Sequence, residues 1–166
     1  MKGSVLSRRT VMRLAALAVS CISPAVAPAQ SLPSRLEPEV RLDAILARRS
    51  VLHAGVGVSI PAASAVRVTL IGALGAAIEG GDGTSARVDL LARYLVDPLG
   101  QARWGLYGGG GVSARYDNGD DWHGQLVVLL GADRRRGGAL TPFVEVGYGG
   151  GVRISAGVRW KGRSGL

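Results

Sequence analysis

Histidine and serine are the side chains of this sequence that could carry acid-base or nucleophilic chemistry. The two histidines are His53 and His123. A serine nucleophile needs a base beside it, and the spacing along the chain pairs neither Ser59 nor Ser113 with a histidine. We therefore predict no catalytic residues and no enzymatic activity, and a lipid-modifying enzyme is the less favoured alternative.

Metal-binding and phosphate-binding patterns are also sparse. Residues 117–121 are rich in carboxylates, as calcium loops are, but Asp-Asn-Gly-Asp-Asp is also the composition of a hairpin turn. Glycines occupy positions 108–111 without the lysine and the following helix of a phosphate-binding loop. They predict close packing or bending of a strand instead. We predict no metal ion and no cofactor.

The first 29 residues have the composition of a cleavable signal peptide. Four basic residues and no acid come first, an apolar run follows at 14–22, and small residues come last. Alanines at positions 27 and 29 favour cleavage after Ala29. The mature chain would then consist of a short segment at 30–39, one domain at 40–160 and a tail at 161–166.

The leader residues also allow two other export signals. The pair Arg8-Arg9 is typical of a twin-arginine signal, which normally serves proteins that fold before export. Cys21, the single cysteine, ends the apolar run and weakly resembles the acceptor of a lipoprotein. Cleavage after Ala29 would remove this cysteine, so the mature chain would need no disulfide.

The charge of the mature chain does not favour a nucleic-acid partner. The whole chain has a net charge of +8, but four of its 20 basic residues lie in the leader. The mature chain has 16 basic and 12 acidic residues, so its net charge is +4, and these charges are spread evenly along it. This is too little for an electrostatic nucleic-acid surface.

The apolar residues after the leader alternate with a period of two. No segment has the 18 or more apolar residues of a membrane-spanning helix. Turn-forming residues such as glycine, proline and aspartate instead divide the chain into short runs. The predicted strands are 40–47, 51–60, 65–78, 84–96, 103–116, 122–133, 140–148 and 151–160. The first could also be a short helix, because the turn Arg48-Arg49-Ser50 lacks glycine.

The alternation gives every predicted strand one apolar and one polar face. Among the 46 even positions only Thr84 is polar, and none is charged. The odd positions combine glycine with charged residues: Arg41, Asp43, Arg67, Arg87, Asp89, Arg93, Arg103, Arg115, Asp133, Glu145, Arg153 and Arg159. Such strands can form a soluble barrel with its apolar face inside, or a membrane barrel with its apolar face toward lipid.

The composition of the polar face favours the membrane barrel. A water-facing exterior would be rich in lysine, whereas Lys161 is the only lysine after the leader. Arginines and acids can pair across the narrow lumen of eight strands. The predicted lumen-facing network contains Arg67, Arg87, Asp89, Arg93, Arg115, Glu145, Arg153 and Arg159. Since arginines outnumber acids on this face, some should bind backbone carbonyls, water or an anionic ligand.

Six aromatic residues on the even face predict the two membrane interfaces. With a periplasmic N-terminus, Tyr94, Trp104 and Trp160 would lie at the periplasmic rim. Tyr116, Trp122 and Tyr148 would lie at the outer rim. Two aromatic girdles are typical of transmembrane barrels.

The predicted strands, the apolar face and the closing strand that ends Gly157-Val158-Arg159-Trp160 resemble the small outer-membrane barrels of the OmpA and OmpX type. The resemblance implies an all-β, antiparallel, up-and-down transmembrane barrel of eight strands in the outer membrane of a Gram-negative-type bacterium. Its partners would be outer-membrane lipid and the assembly machinery, and the barrel would be a monomer.

Two departures from this group concern the ends of the strands. Six residues follow Trp160, where members usually finish in an aromatic residue, and the predicted loops are short.

The expected function is a structural, non-enzymatic role in the envelope, with a plugged lumen that conducts poorly. The alternative is a secreted or periplasmic, lipocalin-like barrel that binds a small hydrophobic ligand.

Overall fold

The computed structural model describes residues 36–78, 83–97, 102–117, 122–134 and 139–160. The predicted signal peptide at 1–29 and the tail at 161–166 lie outside the described residues. Eight strands form: β1 (Glu37–Leu46), β2 (Val51–Ala63), β3 (Val66–Ala77), β4 (Thr84–Leu95), β5 (Trp104–Asp117), β6 (His123–Arg134), β7 (Leu140–Tyr148) and β8 (Val152–Trp160).

The strands form a closed antiparallel barrel. Each strand pairs with its neighbours in sequence, and β8 returns to pair with β1, where Leu42 lies opposite Ala156. All backbone edges are thereby joined, which removes the open edges of a sheet. The all-β, eight-stranded antiparallel barrel predicted from the sequence is confirmed.

The strands are staggered around the barrel. A path that crosses from Tyr107 on β5 through β6, β7, β8, β1, β2, β3 and β4 returns to β5 at Asp117. The displacement is ten residues along β5. Such a stagger requires the strands to tilt by roughly 35–45° from the barrel axis. It also determines which inward side chains lie at the same height.

Two predicted boundaries are wrong by three residues, and the others agree with the structure to within one residue. Strand β1 begins at Glu37, three residues before the predicted start, so the segment that could have been a helix is a strand. Residues 61–63, which were predicted as part of a turn, belong to β2, and the register with β3 shifts between Pro61 and Ala63. A bulge of this kind accommodates proline, which cannot donate a ladder hydrogen bond.

Glycine permits the close approach of neighbouring strands at the middle of the barrel. A Cβ atom at Gly109 would meet the carbonyl oxygen of Ala92, and one at Gly111 would meet that of Leu90. The glycine run at 108–111 therefore lies within β5 and allows tight packing against β4. At the β7–β8 turn, Gly150 adopts φ = 69°, a conformation that other residues rarely take.

Part of the interior is apolar, which the interpretation of the odd face as polar did not anticipate. The buried cluster consists of Ile71, Leu91, Leu95, Tyr107, Val127 and Leu129. These residues lie on β3 to β6, so one side of the barrel core is apolar. Strand β4 also contributes the buried charged residues Arg87, Asp89 and Arg93, which pair with each other and with residues of β1, β7 and β8.

Candidate functional site

One buried carboxylate of the interior binds three arginines. Glu39 lies on β1, and its carboxylate accepts hydrogen bonds from Arg93 at 2.9 Å and from Arg159 and Arg41 at 3.1 Å each. Its residue exposure is 1%. A buried carboxylate of this kind is stable only because the surrounding guanidinium groups compensate its lost hydration.

A second carboxylate, Glu145, completes this group of side chains. We call it the lower cluster, because Glu39 lies near the end of the barrel that holds the chain termini. It pairs with Arg41 at 2.7 Å and with Arg93 at 2.8 Å, and it accepts a hydrogen bond from the Tyr107 hydroxyl at 2.9 Å. The ring of Phe143 adds an aromatic contact, with the guanidinium carbon of Arg159 4.9 Å from its centroid. Arginines are thus held by acids and by ring faces together.

An upper cluster continues the network toward the other end of the barrel. Asp43 pairs with Arg41 at 2.8 Å and also with Arg87. Asp89 pairs with Arg153 at 2.8 Å and with Arg87 at 3.2 Å. Arg41 joins the two clusters, because it contacts acids in both.

The network extends to both mouths of the barrel. At the end that holds the start of β1, Arg67 lies 3.6 Å from Glu37 and 3.8 Å from Asp133. At the opposite end, Arg115 pairs with Asp117 at 2.7 Å. Each of the eight predicted lumen residues therefore faces inward and takes part in an ion pair, and all but the half-buried Arg67 are buried.

The expected excess of interior arginine does not appear among the ion-paired residues that the structure describes. Within the described residues, the inward ion pairs involve seven arginines and seven acids: Arg41, Arg67, Arg87, Arg93, Arg115, Arg153 and Arg159, with Glu37, Glu39, Asp43, Asp89, Asp117, Asp133 and Glu145. Sequence reasoning missed Glu37 and Glu39 because it began β1 at residue 40. It also counted Arg103, which is exposed and precedes β5.

The outer wall is apolar over its whole circumference. Thirty large apolar side chains are exposed in the described residues, and every one has an even number. Leu126 is 77% exposed and Leu74 is 72% exposed, and they lie on β6 and β3 respectively. A surface this apolar and this continuous is found on proteins that contact lipid or another apolar phase.

The six aromatic residues lie outward in two groups at opposite ends of the strands. Tyr94, Trp104 and Trp160 are at the end that holds the chain termini of the barrel, and Tyr116, Trp122 and Tyr148 are at the other end. The rings of Tyr116 and Trp122 contact each other, with centroids 5.7 Å apart. This is the arrangement expected of the two interfacial girdles of a membrane barrel.

Solved structures of small transmembrane barrels are similar to this chain. The Neisserial surface protein A (NspA) superposes with a TM-score of 0.57 at 15% identity, over 76% of this chain and 96% of that one. A de novo designed transmembrane β-barrel gives a TM-score of 0.53 at 15% identity, over 78% and 97%. The designed barrel TMB2.3 gives 0.52 at 13% identity, over 80% and 97%. No protein-family model and no curated protein matches the sequence.

The chain has the fold of the small transmembrane β-barrels. The similarity predicted from the sequence is confirmed at the level of the fold, and the barrel has the ionic interior and apolar wall that a lipid surrounding requires. None of the described residues form a helix that is long and apolar enough to cross a membrane.

The barrel brings together one serine and one histidine that sequence spacing did not pair. The Nε2 atom of His53 lies 3.0 Å from the hydroxyl of Ser85, although 32 residues separate them. Both are buried, and Gly75 lies between them in the register of β2, β3 and β4. The other ring nitrogen of His53 has no hydrogen-bond partner among the described residues. The pair is thus closed off and lacks the acid that orients a catalytic histidine.

The remaining histidine and serine candidates do not come together within the described residues, and residues 118–121 of the acidic run lie outside them. His123 has an odd number, and the odd positions are predicted to face the lumen, but it is exposed, because β6 begins there at the rim. Ser59 hydrogen-bonds to Thr69 at 2.8 Å, and Ser113 is buried. No group of three or more histidine, cysteine or acidic residues within the described ranges could hold a metal ion.

Proposed function

We propose that the chain is an exported outer-membrane barrel with a closed interior, which serves a structural, non-enzymatic role in the bacterial envelope. Its signal peptide would be removed after Ala29. Its partners would be outer-membrane lipid and the assembly machinery, and it would act as a monomer.

The observation that carries this proposal is the apolar outer wall between two aromatic girdles. In water, thirty exposed large apolar side chains would make the barrel aggregate. In a bilayer the same wall is favourable, and tyrosine and tryptophan at both ends lie at the level of the headgroups.

The interior supports a barrier rather than a pore. Ion pairs extend from Glu37 and Arg67 near one mouth, through buried pairs, to Arg115 and Asp117 near the other. Side chains fill the lumen of an eight-stranded barrel, and here Arg41, Arg87 and other long side chains cross it with almost no exposure.

The soluble, ligand-binding alternative is disfavoured by the direction of the side chains. A lipocalin-like cup needs its apolar face inside, so that a hydrophobic ligand can bind there. In this barrel the even, apolar face points outward, and the described interior holds ion pairs.

Membrane fractionation tests the proposal. The full chain is expressed in a Gram-negative host, and the outer-membrane fraction is run on a detergent gel with and without boiling. We expect a band in that fraction whose mobility changes on boiling, and a mature N-terminus at Gln30. A soluble periplasmic protein without a mobility change would contradict the proposal.

A further inference from the structure

A hollow in the outer wall lies across β5 to β8, and its volume is about 380 Å³. The small residues Gly131 and Ala132 form its floor. Its walls are the large apolar residues Leu106, Leu130, Val144, Val146 and Ile154. The hollow exists because Ala132 lies between Leu106 and Val144 in the register of three neighbouring strands.

An arginine lies at the terminal-side end of this hollow. Arg134 follows Ala132 by two residues on β6, so both face outward. It is exposed, and it is the one charged side chain on the outward face of the eight described strands. Its partner across the β5–β6 ladder is Trp104, which belongs to the aromatic girdle. A second exposed arginine, Arg103, immediately precedes Trp104.

This arrangement matches the parts of a phospholipid. Tryptophan in a girdle lies at the headgroup level, and the guanidinium group of arginine binds phosphate with two parallel hydrogen bonds. The hollow begins beside Arg134 and extends along the wall to Ile154, away from the girdle. An acyl chain below a headgroup would follow the same direction.

We propose that this hollow, with Arg134 and Arg103 at its end, is a binding site for an anionic phospholipid in the leaflet on the side of the barrel termini. The acyl chain lies over Ala132, and the phosphate binds Arg134. The inference rests on the proposed membrane location of the barrel.

A second hollow provides a matched comparison. It lies across β1 to β4, has a volume of about 670 Å³, and has the small residues Ala54, Gly72 and Ala86 in its floor. The arginines on its lining, Arg41 and Arg87, are buried and point into the barrel. This hollow can accept an acyl chain but offers no outward charge within the described residues, so it should not select an anionic headgroup.

Quenching of Trp104 fluorescence by brominated lipids measures the preference of this site for an anionic phospholipid. Trp122 and Trp160 are replaced by phenylalanine, and the protein is folded into phosphatidylcholine vesicles. Brominated phosphatidylglycerol or brominated phosphatidylcholine is then added at equal mole fraction. We expect phosphatidylglycerol to bind about fivefold more tightly near Trp104, which corresponds to about 1 kcal/mol for one arginine near an anionic headgroup.

Two variants and two controls assign the effect to the site. Arg134→Gln should remove most of the preference, and Ala132→Leu should weaken quenching by both lipids because it fills the hollow. Arg48→Gln removes an exposed charge at the opposite rim, and Ala54→Leu fills the other hollow. Both controls should retain the fivefold preference.

The outcomes separate this inference from the proposed function. A barrel that shows the mobility change and is quenched equally by both lipids would overturn the lipid site alone. A preference that survives in Arg134→Gln would do the same. A chain that shows no mobility change and no quenching by either lipid would instead contradict the membrane location.

Discussion

Replacement of Glu39 by glutamine is the most informative perturbation of the interior. The amide keeps the size of the side chain but removes the negative charge that Arg41, Arg93 and Arg159 share. Glu145 still pairs with Arg41 and Arg93, whereas among the acids of the described residues Arg159 retains Asp133 alone, at 3.5 Å. One buried positive charge would therefore be left without compensation.

The structure gives the magnitude of the expected loss. Each hydrogen bond to a charged group contributes about 1.5–3 kcal/mol, and Glu39 accepts such bonds from three arginines. The amide oxygen can still accept some of them. Removal of one partner from a buried ion pair costs about 3–5 kcal/mol, and we expect Glu39→Gln to lower the free energy of unfolding by this amount.

Urea unfolding in lipid vesicles measures the loss in the free energy of unfolding. The mobility change on unboiled gels reports the folded fraction at each urea concentration. The double variant Glu39→Gln with Arg159→Gln removes one charge of each sign. Because it restores the balance, we expect the double variant to be less destabilised than the sum of the two single variants, by about 0.5–3 kcal/mol. If Glu39→Gln unfolds within about 1 kcal/mol of the parent chain, or the two changes are additive, the reasoning about shared charge is refuted.

Three further predictions concern the wall, the close strand contacts and the lumen. Val128→Arg places a charge in mid-strand on the outward face and should cost about 2–4 kcal/mol in vesicles; equal stability would show that Val128 does not contact lipid. Gly157→Ala should destabilise the barrel because its Cβ atom would meet the Val40 carbonyl and the Phe143 ring, whereas Gly72→Ala should be tolerated because it meets nothing within 4 Å; thermal unfolding compares the two, and equal melting would contradict the contact argument. The parent barrel should conduct poorly in planar bilayers because side chains fill its lumen, and large steady channels would show that the lumen is open.

The alternation of residue types was sufficient to predict the fold. Except for Thr84, the even positions of the eight predicted strands are not polar. Within the described residues, every large apolar side chain that the structure exposes has an even number. A period of two is a local property of each strand, so it can be recognised without knowledge of the strand partners. The positions of the six aromatic residues follow from the same alternation.

The pairing of interior side chains could not be predicted in the same way. Whether Arg41 meets Glu145 or another acid depends on the stagger of the closed barrel, and 104 residues separate the two in the chain. The pairing of His53 with Ser85 also depends on register, since Gly75 must lie between them.

Some errors came from local signals that had competing interpretations. Pro61 favoured a turn at a position that belongs to β2. The first strand was predicted to begin at Val40, which left out Glu37 and Glu39. Both acids are odd-numbered and in phase with Arg41 and Asp43, so the alternation itself contained the missing signal.

The equal number of positive and negative residues in the interior restricts how this sequence can evolve. A mutation that adds or removes one of the eleven buried charges among the described residues leaves a partner uncompensated in a region that is shielded from water. Accepted changes should therefore come in pairs, an arginine together with an acid, or as exchanges that keep the charge. Descendants of this chain should diverge freely along the lipid-facing wall, where one apolar residue can replace another, and should change inside the barrel by coordinated double substitutions.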